Sequence, residues 1–190
     1  MGITEYIHQH TESEILALDY SLVAIEQARA RTKQKAQTLQ FRRVDLTAEE
    51  LPGNAYDYII LIDTIYFLGD FQATIKRLSK RLKTEGKMII TFFDVKEDEE
   101  SQLPGPDHTL IAQALQQLGI AYHWYDFTEN VRAHGLKNYQ AAEALRESFE
   151  REGNQFLYEA RAAENHFFKE SVEKDAIFRY MYIANSVLSA

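Results

Sequence analysis

Three aspartates stand directly after apolar runs in the 190-residue chain, and each run has the length of a β-strand. They are Asp19, Asp45 and Asp63. A carboxylate at such a position can accept hydrogen bonds from both hydroxyls of a ribose. The order of the three therefore predicts a row of carboxylates that binds the hydroxyl and amine groups of a nucleotide-like ligand.

The elements that must position these aspartates alternate between strands and helices. Short, dense apolar runs are typical of strands buried on both faces, and helical spacing of apolar residues separates them. This order predicts an α/β fold with a mostly parallel sheet, in which ligands bind beyond the carboxyl ends of the strands. The predicted strands are 15–18, 39–44, 56–62, 87–93, 120–127 and 176–187.

The side chains around the first two aspartates suit an adenosine-containing ligand. Asp19 can accept from a ribose, and Tyr20 can lie against a purine ring. Asp45 can accept from an exocyclic amine, while the backbone N–H of Leu46 can donate to a ring nitrogen. Aspartate is also a common turn and cap residue, so each position alone is weak and the ordered series carries the prediction.

Cap and break residues predict where the helices begin and end. Ser21, Asp70 and Asp107 have the residue types that cap helix N-termini, and Gly86 is the type that ends a helix. Residues 128–174 are predicted to be helical, with a break at Gly153. We expect one domain over residues 1–190, with 128–175 as a helical insertion within it and a possible lid over the site.

Composition excludes several classes of protein and site. The chain has no cysteine, which excludes disulfides, thiolate zinc sites and a cysteine nucleophile. Its net charge of −8 argues against nucleic acid as a partner. The histidines have no metal-ligand spacing, so no metal is expected. Without a signal peptide or an apolar run long enough for a bilayer, the expected location is the cytoplasm, with no membrane partner.

Four segments together resemble class I S-adenosylmethionine-dependent methyltransferases. Residues 18–28 look like the acidic motif of that family, and residues 43–46 are similar to its adenine-contacting motif. Residues 56–67 resemble its fourth strand and the following substrate loop, and residues 82–90 resemble its turn and fifth strand. Thr84-Glu85-Gly86 departs from the Pro-Gly-Gly form of that structural turn. Each motif is weak alone, but their order and spacing are more specific.

The resemblance implies a Rossmann-like methyltransferase sheet, mostly parallel with an antiparallel last strand, and S-adenosylmethionine as cofactor. It places Asp19 at the ribose, Tyr20 against the adenosine, and Asp45 with Leu46 at the adenine edge. The methionine end and the methyl acceptor would be served by Asp63, Thr64 and Tyr66. Tyr66 and Asp126 are the candidate catalytic residues, as bases or as orienting groups.

The family's glycine-rich loop and first strand have no full counterpart in this sequence. Only Gly2 precedes the predicted first helix, Ile3 to Gln9, and it would be the last glycine of that loop. We therefore expect an N-terminally truncated version of the fold. A shortened gene product, a gap filled by another chain and a rearranged sheet all remain open.

Three functions follow as hypotheses. The first is S-adenosylmethionine-dependent methyl transfer to a small-molecule acceptor. The second is a catalytically inactive methyltransferase-like remnant that acts as a homodimer or interaction module. The third is a nicotinamide-binding Rossmann domain, which shares the ribose aspartate but needs a G-x-G-x-x-G motif that is not present here.

Overall fold

Two compact units make up the chain in the computed structural model, residues 1–53 and residues 54–190. The structure describes residues 2–53, 55–96 and 103–186. The predicted end of the last strand at Val187 lies outside the described residues.

The first unit contains a two-stranded parallel sheet. Its β1 and β2 pair from Ile15 with Leu39 to Asp19 with Arg43, so Asp19 stands at the carboxyl end. Ser21 caps the second helix as predicted, because its hydroxyl accepts a hydrogen bond from the N–H of Ala24 at 3.3 Å. The elements are α1 (Ile3–Thr11), β1 (Ile15–Asp19), α2 (Leu22–Arg31) and β2 (Leu39–Arg43).

The second unit is built on a four-stranded sheet in the order β3-β4-β6-β5. Its strands are β3 (Tyr56–Ile62), β4 (Leu82–Val95), β5 (Tyr122–Asp126) and β6 (Ile177–Asn185). β3 and β4 are parallel, and β6 is antiparallel to both of its neighbours. The carboxyl ends of β3, β4 and β5 therefore share one edge with the start of β6. The predicted α/β fold, mostly parallel with an antiparallel last strand, is confirmed.

In the part of this unit that the structure describes, four α-helices accompany the sheet: α3 (Phe71–Ser79), α4 (Leu110–Gln117), α5 (Thr128–Arg151) and α6 (Gln155–Glu173). The helices α3 and α4 cover one face, where Phe71 meets Phe92 edge-on at 5.9 Å between ring centroids. On β4, Phe93 lies 5.5 Å from Phe168 of α6. The predicted cap at Asp70 is confirmed, since its Oδ1 accepts from the N–H of Ala73 at 2.6 Å.

Two boundary predictions are wrong. Gly86 does not end a helix: α3 ends at Ser79, and Gly86 lies inside β4, which begins at Leu82 opposite Tyr56 and shifts register before Lys87 pairs with Tyr58. Asp107 does not cap α4 either. The hydroxyl of Tyr122 donates to its carboxylate at 2.8 Å, and Thr109 is the cap, accepting from the N–H of Ala112 at 3.2 Å.

Gly86 has a steric role that predicts a large cost for any side chain. A Cβ there would lie 2.9 Å from the carbonyl oxygens of both Lys83 and Tyr56, which are backbone atoms that cannot rotate away. We expect Gly86→Ala to lower the free energy of unfolding by about 1–3 kcal/mol, as in overpacked cores. Urea titration measures this. Gly105→Ala is the control, because its Cβ would meet only His108 at an ordinary 3.5 Å. Equal stability of the two variants would contradict the prediction.

Candidate functional site

Asp63 is held from two sides at the carboxyl end of β3. Thr91 on β4 donates its hydroxyl hydrogen to Asp63 Oδ1 at 2.9 Å and accepts from the Asp63 N–H at 2.9 Å. Arg179 on β6 donates from Nη2 to Asp63 Oδ2 at 2.5 Å. Asp63 also has a left-handed φ of 47°, which is uncommon outside glycine but tolerated by aspartate. The chain therefore turns sharply here and both carboxylate oxygens are engaged.

Tyr66 stands three residues beyond Asp63, and its hydroxyl is fixed to the backbone of Phe93. It accepts from the Phe93 N–H at 2.5 Å and donates to the Phe93 carbonyl oxygen at 3.1 Å. Burial, more than the nearby Asp63 carboxylate, raises the pKa of Tyr66 well above its ordinary value. The neutral phenol is thus the stable form, and its hydroxyl is committed to the backbone of Phe93.

A row of aromatic rings begins at Tyr66, near the carboxyl ends of β3 and β4. The Tyr66 ring lies 5.6 Å from the Phe93 ring, and Phe93 lies 5.5 Å from Phe168 of α6. Phe67 follows Tyr66 directly and is 75% exposed. These rings give the second unit an apolar wall beside a half-buried ion pair.

Asp126 ends β5 at the same edge of the sheet but far from Asp63. Two strands separate β5 from β3, which corresponds to about 14 Å at the usual strand spacing. The Asp126 carboxylate accepts from the N–H of Thr128 at 2.8 Å at the start of α5. The structure therefore brings Asp63 and Tyr66 together, whereas the Asp126 carboxylate lies in the turn that leads into α5.

In the first unit, Asp19 is the last residue of β1, at the turn that leads into α2. Its Oδ1 accepts from the N–H of Ser21 at 2.8 Å. The carbonyl of Tyr20 accepts from Arg43 Nε at 3.1 Å, and the Tyr20 side chain is 75% exposed. Within the described part of the chain, Oδ2 of Asp19 has no hydrogen-bond partner, so one carboxylate oxygen is available to a ligand.

Asp45 lies in a second turn, just after β2. Its Oδ1 accepts from both the hydroxyl and the N–H of Thr47, at 2.6 and 3.0 Å. These two bonds hold the pKa of Asp45 below its ordinary value, with the hydroxyl as the larger cause. Leu46 lies between the two residues in the same turn. The carboxylate is therefore ionised near neutral pH.

The bond from the Thr47 hydroxyl can be tested by titration. We expect Thr47→Val to raise the pKa of Asp45 toward its ordinary value, since the larger of the two causes is removed and the N–H bond stays. A lowered pKa stabilises the folded state above the unfolded pKa, and this contribution is lost as pH falls. Carbon-13 NMR of the carboxyl carbon measures the shift. Thr64→Val is the control, and an unmoved Asp45 titration in Thr47→Val would contradict the assignment.

The two remaining predicted residues have local roles. Gly2 is the residue before α1, and its carbonyl oxygen accepts from the N–H of Tyr6 at 3.0 Å. Thr64 donates its hydroxyl hydrogen back to the carbonyl of Ile62 at 2.8 Å. A groove of about 550 Å³ lies in the first unit between α2 and β2, lined by residues such as Arg29 and Leu39, and no predicted site residue lines it.

Sequence reasoning missed Arg179 and Thr91, the two side chains that hold Asp63. Arg179 had one available signal, because it is the only charged residue in the strand Ile177–Asn185. A lone cation in an aromatic strand indicates a fixed partner, since burying an unpaired charge is costly. Thr91 had no comparable signal, because threonine is common in strands.

Neither a metal-type cluster nor a helix that could cross a bilayer is found among the residues that the structure describes. Over 2–53, 55–96 and 103–186, no group of three His, Asp or Glu side chains converges as a metal site would need. In the same stretches, the helices are too short or too polar to cross a bilayer.

Residues 2–88 match the model of a family described as a methyltransferase domain. This range contains Asp19, Asp45, Asp63 and Tyr66. Among curated proteins, phosphoethanolamine N-methyltransferase 3 of Arabidopsis thaliana is 28% identical over 105 residues. That match covers 55% of this chain and 21% of the relative, so the chain spans about a fifth of the length of that protein.

Proteins of similar fold with solved structures are named for more than one type of reaction. Phosphoethanolamine N-methyltransferase 2 of Haemonchus contortus, in complex with phosphomonomethylethanolamine and S-adenosylhomocysteine, has a TM-score of 0.78 at 18% identity, over 96% of this chain and 45% of its own. The cyclopropane synthase MmaA2 of Mycobacterium tuberculosis has a TM-score of 0.77 at 8% identity, over 95% and 73%. The cyclase SpnF has a TM-score of 0.77 at 14% identity, over 97% and 70%. At these identities the likeness shows the fold.

The family match over residues 2–88 agrees with the resemblance to S-adenosylmethionine-dependent methyltransferases that the motifs indicated, and the solved structures share the fold. The activity and the acceptor are separate questions, because one fold hosts several chemistries.

Proposed function

We propose, from the match of residues 2–88 to a methyltransferase-domain family, that this chain binds S-adenosylmethionine and transfers its methyl group to a small-molecule acceptor. The observation that carries the proposal is the position of three aspartates inside the matched range, each at the carboxyl end of a strand. Asp19 is the last residue of β1, Asp45 lies two residues after the end of β2, and Asp63 directly follows β3. In this proposal both units form one methyltransferase-like domain, with residues 128–175 as a helical insertion.

The first unit is proposed to hold the adenosine part of the cofactor. Asp19 keeps one carboxylate oxygen for the ribose hydroxyls while the other fixes the turn. Tyr20 is exposed beside it and offers a ring face to the adenosine. Asp45 and Leu46 are proposed to read the adenine edge, and Gly2 to allow the backbone close to the methionine part.

The second unit is proposed to serve the methionine end and the acceptor. Asp63 and Thr64 line the methionine end, and Tyr66 faces the acceptor. The bound cofactor supplies an activated methyl group on a positively charged sulfur. The chain supplies alignment, because direct in-line transfer between two held partners gains most of its rate from proximity and orientation.

The acceptor class that we propose first is a small amine. The curated relative is an N-methyltransferase by name, and a solved relative contains phosphomonomethylethanolamine. The aromatic wall of Tyr66, Phe93 and Phe168 supports this class, since ring faces attract ammonium groups. Helix α6 contributes Phe168 to that wall, which supports the helical insertion as a cover for the acceptor.

Calorimetric titration with S-adenosylhomocysteine tests the proposed function. We expect saturable binding with a dissociation constant in the micromolar range, followed by methyl transfer from S-adenosylmethionine to a member of a panel of small amines. A folded sample that takes up no S-adenosylhomocysteine at millimolar concentration would overturn the proposal.

A second candidate is a methyltransferase-like module without catalysis that associates with a second copy. One observation favours it: β3 is an edge strand of the four-stranded sheet and carries Tyr58 and Ile60 at 61% and 40% exposure. Unpaired apolar edges are sites of strand pairing between chains. Sedimentation distinguishes the two. A dimer without cofactor affinity supports the module, and a monomer that binds S-adenosylhomocysteine supports the enzyme.

A further inference from the structure

Arg179 connects two turns of the second unit, the one at Asp63 after β3 and the one at Asp126 after β5. Its side chain starts on β6 opposite Phe93 and crosses β4 to reach Asp63 at the end of β3. Its backbone N–H donates to the hydroxyl of Thr128 at 3.1 Å, and its carbonyl accepts from the N–H of Phe127 at 2.8 Å. Thr128 in turn donates its N–H to Asp126. One residue therefore joins the Asp63 turn to the Asp126 turn.

The Asp63–Arg179 ion pair is partly buried on both sides. The side chains are 34% and 25% exposed, respectively. A charge-assisted bond of 2.5 Å in such surroundings is stronger than a surface pair. Thr91 holds the other carboxylate oxygen, so Asp63 cannot rotate away from Arg179 without losing a second bond. The carboxylate and the guanidinium consequently present almost no net charge.

We propose that Arg179 sets the relative affinity of the chain for S-adenosylmethionine and S-adenosylhomocysteine, by neutralising Asp63 at the methionine end. This inference rests on the proposed function, in which Asp63 lines the methionine end, the part of the cofactor that carries the sulfur. The two ligands differ there by one methyl group and one positive charge. Their affinity ratio therefore reports the charge that the chain presents to the sulfur.

Neutralisation of Asp63 has a catalytic reason. An unpaired carboxylate beside the sulfonium would stabilise the bound cofactor more than the transition state, in which positive charge is leaving the sulfur. Binding energy of that kind lowers the rate of the chemical step. Arg179 removes this bias while keeping the turn at Asp63 in place, so it is a specificity-determining and positioning residue.

The test is a double-mutant cycle on Asp63 and Arg179. Calorimetry measures the affinity of each variant for S-adenosylmethionine and for S-adenosylhomocysteine, and the ratio of the two affinities is compared. Arg179→Gln leaves the negative charge of Asp63 unpaired. We therefore expect the affinity for S-adenosylmethionine relative to S-adenosylhomocysteine to rise by about threefold to tenfold, the size of a charge interaction in partly solvated protein. Asp63→Asn leaves Arg179 unneutralised, and the ratio should move the opposite way by a similar factor. The double variant should return toward the wild-type ratio.

Two controls separate this role from a purely structural one. Arg179→Lys keeps the charge and should keep the ratio. Arg161→Met removes an ion pair with Glu164 on exposed α6 and should also leave the ratio unchanged. A structural role would weaken both ligands together and leave the ratio fixed in every variant. That outcome overturns the inference, as does a double variant whose ratio departs further from wild type than either single variant.

The remaining outcomes are also decisive. If Arg179→Gln does not fold, Asp63→Asn and the double variant still give two ratios of predicted sign. If the wild-type chain binds neither ligand, the proposed function fails and this inference fails with it. If the wild-type chain binds both and the ratios do not move, only the inference fails.

Discussion

Asp19→Asn will weaken binding of S-adenosylhomocysteine by roughly tenfold to a hundredfold. The substitution keeps an oxygen that can accept from the Ser21 N–H, so the turn before α2 stays intact. It removes the charge and one acceptor from the oxygen that is proposed to face the ribose. Hydrogen bonds to charged groups contribute about 1.5–3 kcal/mol each, which sets the expected range.

Isothermal calorimetry at one pH and salt concentration measures this loss. Asp57→Asn is the matched control, because Asp57 is an aspartate of the second unit whose carboxylate pairs with Lys83 at 2.7 Å. It should bind the ligand as the wild type does. Unchanged affinity in Asp19→Asn, with the fold verified by circular dichroism, would remove Asp19 from the cofactor site.

Ile65→Ala is the second substitution with a large expected effect. Ile65 is fully buried in the short turn Ile65–Phe67, between the Asp63 anchor and Tyr66. Removing a buried isoleucine side chain costs about 2–5 kcal/mol, through lost transfer energy and the cavity that remains. We expect the second unit to lose that much free energy of unfolding, and the turn that carries Tyr66 to loosen.

Trp124 gives a direct measurement, because the single tryptophan of the chain lies on β5 of the same unit. Urea unfolding followed by its fluorescence yields the free energy for Ile65→Ala. Ile60→Ala on β3 is the control, since Ile60 is 40% exposed and should cost much less. Equal losses in the two variants would show that burial at Ile65 does not stabilise the unit.

The strands and most helix starts could be predicted from the sequence because their signals are local. The run 56–62 is a strand of that length in the structure, since its apolar density and the following aspartate are both short-range features. Ser21 and Asp70 cap helices as predicted for the same reason. The break at Gly153 also appears between α5 and α6.

The errors arise where distant residues decide the structure. Gly86 has the type of a helix end, but β4 has already begun at Leu82, which pairs with Tyr56 of β3. Asp107 has the type of a cap, but Tyr122 occupies its carboxylate. Arg179 reaches Asp63 across 116 positions of sequence, so no local pattern could connect them. The candidate site was thus predictable as a set of strand ends, and its internal bonds were not.

The position of β6 has a consequence for how the second unit is assembled. This strand comes last in the described chain, yet it lies between β4 and β5 and supplies all of the sheet pairing of β5. During synthesis β3 and β4 can pair early, whereas β5 must wait, unpaired, until residues 177–185 leave the ribosome. Contacts between residues so far apart in sequence slow folding. The waiting intermediate exposes the aromatic strand Tyr122–Asp126, and it is the species from which we expect aggregation during expression.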